Sequence, residues 1–320
     1  MLQVKRKIAV LGTGNVGATI AYNLILQGLA SEIVLVDINK DKAEAEALDL
    51  KQCRACIPSV KIRSGEYEDV KGSDIVIVTF GVGRKPDQTR LDLAKVNIGI
   101  LKGVIPTVAR IAPKAMYIIV SNPVDVLTYV TMTATNLPNN RVIGTGTLLD
   151  ANRLAEAIAE YCKVDVSSVN AFVFGEHGDA CIVPWSLCTV AGVPLKTYCK
   201  DIMGVKEEKL NEELDKIYTG RVKSGSKIIK GKGATFYAIA ASVGQLVKAI
   251  TSDSNAILPV STMLDGQYGA NNLCMGIPCV VNSTGVVKIV ELPMLDEEKE
   301  QLKEKIASLD KTYNALEIRK

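Results

Sequence analysis

The first 123 residues are organised by runs of aliphatic side chains: KIAVLG (7–12), EIVLVDI (32–38), DIVIVTFG (74–81) and MYIIVSNP (116–123), with a shorter VKIRSG at 60–65. The long runs barely alternate with polar residues, the signature of parallel strands covered on both faces. Between them the spacing turns helical, in ATIAYNLILQG (18–28) closing at Gly28, over 40–52, and from about 92 to 111. Strand–helix alternation of this kind predicts an open, doubly wound α/β sheet. The second half is mixed, with helices expected over 151–162, 206–230 and 235–250 and short strands over 169–174, 274–281 and 286–290. A chain of 320 residues is long for one core, so two domains are expected. In the last stretch Leu302, Ile306, Leu309, Tyr313 and Leu316 form one helical stripe. The heptads are too few for a coiled coil, so the stripe is expected to pack on its own domain.

Composition narrows the function classes. Thirty-eight basic and 35 acidic residues leave a net charge of +3, without the clustered basic face of a nucleic-acid binder. The lysines of 223–232 are interrupted by Ser, Gly and Ile and read as a solvated helix end. No apolar run reaches the roughly 18–20 residues of a membrane span. The opening MLQVKRKIAVLG leads straight into a glycine loop, so it is not expected to be a signal peptide. Eight scattered cysteines without a secretion signal suggest reduced thiols and a cytoplasmic location. Cys53 and Cys56 have CxxC spacing, but no second pair or spare histidine completes a metal set, and no metal is expected.

Two stretches carry chemistry. Gly12-Thr-Gly14-Asn15-Val16-Gly17 is a GxGxxG that follows an expected strand and opens an expected helix. Asp37 ends the second strand, twenty residues after Gly17. In that context the motif is a dinucleotide fingerprint. Gly12 permits the turn, Gly14 lets pyrophosphate approach the backbone, and Gly17 lets helix and strand pack closely. Asp37 accepts from ribose hydroxyls and repels a 2′-phosphate, which favours NAD over NADP. The second stretch, FVFGEHGD, contains His177, the only histidine in the chain and thus its only side chain with an ordinary pKa near neutrality.

Asp150 and Arg153, in GTLLDANR, share a helix face at i and i+3; alone they read equally as a surface ion pair or a cap. Arg84, Lys85 and Arg90 sit in GVGRKPDQTR, a loop after a strand. Such a loop is either a solvated turn or, at the carboxyl end of the sheet, part of a ligand site. Asn122, before Pro123, also ends a strand, where it reads as a turn former or a site residue.

Taken together, GTGNVG, Asp37, RKPDQTRLDLAKVN, SNPVDVLTY, GTLLDANR, GEHGD and KGAT resemble the L-lactate/L-malate dehydrogenase family over nearly the whole chain. The resemblance implies an N-terminal Rossmann-type NAD-binding domain (1–145) and a C-terminal α+β catalytic domain (146–320). It implies NAD as cofactor, a small 2-oxo or 2-hydroxy acid as substrate, and a homotetramer or homodimer. His177 takes the position of the acid–base residue and Asp150 that of its partner. Arg153 takes that of the carboxylate clamp. Arg90 matches the residue that polarises the carbonyl from a mobile loop whose closure excludes water. Asn122 positions nicotinamide or substrate, and Thr235 faces the substrate end.

The substrate stays divided at this level. The family reads the far end of the substrate at the position of Arg84, where Gln suits lactate enzymes and Arg suits malate enzymes. TRLDL, GEHGD, SNPVD and Thr235 resemble the lactate branch, which is the closer whole-chain match, and a broader 2-oxo-acid reductase is a third outcome. Other classes fit poorly. Tyr67 and Lys71 have reductase spacing but fall between strands, and no GxSxG elbow is present. A non-catalytic NAD-binding sensor on the same fold is the alternative from another class.

Relatives activated by fructose 1,6-bisphosphate carry an Arg and a His where this chain has Ala155 and Asn170. The sugar bisphosphate is therefore expected to leave the KM for the oxo acid unchanged in a steady-state assay. A lowered KM on its addition would contradict this.

Overall fold

The computed structural model describes residues 5–83, 89–178 and 180–319. Six parallel strands open the chain: β1 (Lys7–Leu11), β2 (Glu32–Val36), β3 (Lys61–Ser64), β4 (Ile75–Val78), β5 (Met116–Ile119) and β6 (Val142–Gly144). Five helices connect and follow them: α1 (Asn15–Leu26), α2 (Lys40–Gln52), α3 (Arg90–Ile111), α4 (Val124–Ala134) and α5 (Leu148–Cys162). The strand order 3-2-1-4-5-6 is the doubly wound arrangement, with its topological switch between β1 and β4. β1, β4 and β5 are almost wholly buried, as their unbroken aliphatic runs require.

The second half contains β7 (Val169–Asn170), β8 (Phe174–Gly175), β9 (Cys181–Ile182), β10 (Thr189–Val190), β11 (Val193–Pro194) and α6 (Leu195–Thr197). Two long helices follow, α7 (Glu207–Lys232) and α8 (Tyr237–Thr251), then β12 (Ala256–Asp265), β13 (Asn271–Asn282), β14 (Gly285–Ile289) and α9 (Asp296–Ala315). β12 pairs antiparallel with β6 through Ser261 and Gly144, so the parallel sheet continues into an antiparallel one. β7, β10 and β11 form a separate small sheet. Among the described residues no helix is long and apolar enough to cross a membrane.

Local chemistry explains the boundaries. α1 is closed by Gly28 (φ +65°), two residues past its last helical residue, whose N–H bonds Ile25 O while Leu29 N bonds Leu24 O. This is the paired closure that favours glycine past a helix end. α3 starts before the expected 92 because Thr89 and Asp92 cap each other reciprocally. The expected strand over 169–174 divides into β7 and β8, because the chain passes there from the small sheet to the large one. The stripe of α9 packs inward, with Leu302, Leu309 and Tyr313 buried; the Tyr313 hydroxyl accepts from Cys274 N at 3.1 Å.

The glycine loop fixes how close α1 comes to the sheet. A Cβ on Gly17 would lie 1.9 Å from Gly12 O and 2.7 Å from Thr79 Oγ1. Backbone on one side and a bonded hydroxyl on the other cannot both yield. Gly17→Ala is therefore expected to separate α1 from β1, lowering the thermal midpoint and weakening NADH binding together in calorimetry. Unchanged values of both would contradict this packing.

Candidate active site

At the carboxyl ends of the strands the glycine loop and Asp37 are tied to each other. Gly12 holds φ +97°, and a Cβ there would meet Phe80 N at 2.7 Å. Gly14 differs: a Cβ on it would meet no atom within 4 Å, so the space over its backbone is open. Asp37 Oδ2 accepts from Thr13 N at 2.6 Å and Thr13 Oγ1 at 3.0 Å, and Oδ1 from Asn39 N at 2.9 Å. Partial burial works to raise its pKa, but these donors hold it below the ordinary carboxylate value, so it is ionised and still has acceptor capacity. An open backbone at a helix N-terminus, with an ionised acid at the end of the next strand, fits a dinucleotide.

Beside it lies a cleft of about 400 Å³ lined by Val16, Asn122, Arg153, His177 and Thr235 together with the ends of β4 and β5. Asn97, buried on α3, holds its rim. It donates to Asn122 O at 2.7 Å and Val82 O at 3.2 Å and accepts from Val82 N at 2.9 Å.

His177 occupies the tip of the β8–β9 hairpin, flanked by Gly175 (φ +112°) and Gly178 (φ +122°), where a side chain would strain the backbone. Its Nδ1 lies 2.6 Å from Asp150 Oδ2, in the first turn of α5. The carboxylate can only accept, so Nδ1 carries the hydrogen. Burial pulls the imidazole pKa down, but the charge and hydrogen bond of Asp150, with the charge of Asp125, hold it above its ordinary value. Asp150 is the complement. Burial works to raise its pKa, yet His177, Arg221 and Arg153 keep it below the ordinary range. Arg153, one helix turn on, lines the cleft. Arg90 is the first residue of α3, with Nη1 3.8 Å from where a Cβ on Gly178 would sit, so it belongs to a helix start beside the histidine hairpin.

The structure therefore brings His177, Asp150, Arg153, Asn122 and Thr235 together, places Arg90 at their edge, and sets Gly12, Gly14, Asn15, Val16, Gly17 and Asp37 alongside. Arg84 and Lys85 lie outside the described residues. Cys53 and Cys56 sit in and just after a 3₁₀ turn beyond α2, and both are free.

Three residues of the site were not legible as such. Asn97 is one of them. Asp125, on α4, is buried beneath the hairpin and accepts from His177 N at 2.8 Å. Arg221, on α7, donates from Nη1 to Asp150 Oδ1 at 3.1 Å. Its signal was a cation on an apolar stripe, since Leu210, Leu214, Ile217 and Arg221 follow helical spacing and turn toward the core.

Comparison with known proteins matches this geometry. Residues 6–144 match the lactate/malate dehydrogenase NAD binding domain, and residues 147–317 match the alpha/beta C-terminal domain of the same family. The chain belongs to the lactate/malate dehydrogenase family. A lactate/malate dehydrogenase family member named L-lactate dehydrogenase, from Clostridium perfringens, is 46% identical over 297 residues, 92% of each chain. The crystal structure of the minor L-lactate dehydrogenase of Enterococcus mundtii superimposes with a TM-score of 0.93 at 39% identity, covering 97% of this chain and 98% of that one. A lactate dehydrogenase from a Medee basin deep-sea metagenome library gives 0.92 at 36% identity, over 98% and 99%.

In this family member Asp125 carries a stability cost that pH can expose. Burial pushes its pKa up to about 6, opposed by the His177 amide that donates to its Oδ2. The folded value lies above the ordinary 3.8. Its contribution to stability is thus full below that ordinary value and is lost as pH rises through about 6. Asp125→Asn, which keeps an acceptor for His177 N, removes that loss. Relative to the parent it is expected to gain on the order of 3 kcal/mol in urea unfolding between acid and neutral pH. A difference independent of pH would contradict the buried charge.

Proposed function

We propose that the chain is an NAD-dependent L-2-hydroxyacid dehydrogenase of the L-lactate type, interconverting pyruvate and L-lactate. The observation that carries this reading is the His177–Asp150 pair, 2.6 Å apart, in a cleft that also holds Arg153. The names of the relatives support it. The dinucleotide, when bound, would supply the hydride chemistry at the oxo carbon in either direction.

The remaining roles belong to side chains of this protein. Gly12, Gly14, Asn15, Val16 and Gly17 hold the dinucleotide phosphates, and Asp37 holds the ribose. His177 gives a proton to the carbonyl oxygen during reduction and recovers it from the hydroxyl during oxidation. Asp150 fixes its tautomer by accepting from Nδ1 and stabilises the imidazolium before transfer. Arg153 pairs with the substrate carboxylate through its fork, a geometry a lysine lacks. Arg90 stabilises the negative charge that grows on the carbonyl oxygen. Asn122 positions nicotinamide and substrate, and Thr235 contacts the substrate end. The reading extends to a cytoplasmic homotetramer or homodimer, for which the exposed Tyr22, Leu26 and Leu48 of α1 and α2 offer apolar surface.

Arg84 favours a second reading, oxaloacetate and L-malate. A guanidinium can pair with the far carboxylate of oxaloacetate, whereas over the methyl group of pyruvate a desolvated charge costs several kcal/mol. Absorbance at 340 nm with NADH decides between them. The parent is expected to reduce pyruvate and, measurably, oxaloacetate. Arg84→Gln is expected to lose mainly the oxaloacetate kcat/KM, by about tenfold or more. Equal losses on both substrates would remove Arg84 from specificity. NADH binding without turnover on any 2-oxo acid would make the protein a sensor.

A further inference from the structure

Arg221 is a buried cation in a place where packing alone calls for an aliphatic residue. It continues the apolar stripe of Leu210, Leu214 and Ile217 on α7, and its side chain is 1% exposed. Burying a guanidinium is costly, and replacing a buried ion pair by apolar side chains is often neutral or stabilising. Stability therefore does not explain it. Its contacts suggest another reason. Nη1 donates to Asp150 Oδ1 at 3.1 Å, and Nη2 donates to Cys181 Sγ at 3.3 Å. The Tyr218 ring lies 5.2 Å from its Cζ, while Nε is buried without a hydrogen-bond partner among the described residues. One fork thus joins α7 to the carboxylate on α5 and to the first residue of β9, at the base of the histidine hairpin.

This clamp has a directional consequence. Asp150 has two oxygens, and Arg221 takes Oδ1 while His177 takes Oδ2. With Oδ1 held, rotation of the carboxylate is blocked, and Oδ2 stays aimed at Nδ1. We propose that Arg221 is a positioning residue of the proton relay, fixing Asp150 and moderating its pull on His177. The proposal rests on the proton-relay reading of His177 and Asp150 given above.

Among the described residues, the charged and titratable groups around the pair include Arg153 on α5, Asp125 on α4, Arg90 at the start of α3, Glu176 and Cys181 on the hairpin, Tyr218 and Arg221 on α7, Cys274 on β13 and Tyr313 on α9. Arg221 is the one among them bonded to Asp150 on the oxygen facing away from His177. Without it, the imidazolium becomes the close partner of a less compensated carboxylate. His177 then keeps its proton to higher pH, and a carboxylate free to rotate holds the ring less well.

The test is steady-state pyruvate reduction by the full-length protein across pH, in the parent and in Arg221→Leu, Arg221→Lys and Arg221→Gln. Arg221→Leu is expected to lose about ten- to a hundredfold in kcat, with KM for pyruvate and NADH affinity near parental values. The limb on which the rate falls with rising pH is expected to move up by about one pH unit. Arg221→Lys, which keeps the charge and loses the fork, recovers the position of the limb and part of kcat. Should Arg221→Leu fail to fold, Arg221→Gln, neutral and still hydrogen-bonding, is expected to show the same shift. Parental kcat and an unmoved limb in folded Arg221→Leu, or in Arg221→Gln in its place, would overturn the proposal. Asp150→Asn separates the two levels. If it lowers kcat while Arg221→Leu does not, the role of Arg221 alone fails. If it leaves kcat unchanged, the relay reading fails and this proposal with it.

Discussion

The site depends on one carboxylate that is kept ionised although it is buried. Asp150 is 3% exposed, and an isolated buried carboxylate would take up a proton rather than stay charged. It stays charged because His177 and Arg221 approach opposite oxygens, with Arg153 adding its field from the same helix. Its place in the first turn of α5 adds the favourable end of the helix dipole. An ionised Asp150 decides the tautomer of His177, and that tautomer decides which ring nitrogen is available for proton transfer.

The fold supplies each partner from a different element. The glycine loop follows β1, Asn122 follows β5, and Asp150 and Arg153 begin α5 just beyond β6. His177 is brought in from the antiparallel extension of the sheet, through a hairpin whose two flanking glycines adopt positive φ. Asp125 anchors that hairpin from below by accepting the His177 amide, so a helix of the first half holds a loop of the second. Such anchoring costs stability at neutral pH, because the carboxylate has little solvation. The hairpin gains a fixed position in return.

Much of this was legible in the residues. Unbroken Val and Ile runs announced the parallel strands, and the glycines with Asp37 announced the dinucleotide loop; the strand order agrees with both. Asp150 and Arg153 were ambiguous by themselves and were tied to the single histidine only through the family resemblance; the structure brings the three together. What escaped has physical causes. VDVLTYVTMTA in α4 is rich in β-branched residues and reads poorly as a helix. It folds as one behind Pro123, with the Thr128 and Thr131 hydroxyls donating to carbonyls four residues back and nearly every side chain buried. β6 is only three residues long, too short for any periodicity. Asp125 and Arg221 lie far in sequence from His177, and only tertiary packing makes them its neighbours.

The central claim is that the imidazole of His177 carries the proton exchanged during oxo-acid reduction. Its most direct test is His177→Asn, assayed for NADH-dependent pyruvate reduction with NADH affinity and thermal midpoint measured on the same sample. The account predicts that kcat falls by about a hundred- to ten-thousandfold while binding and stability hold. Parental turnover in the folded variant would contradict it.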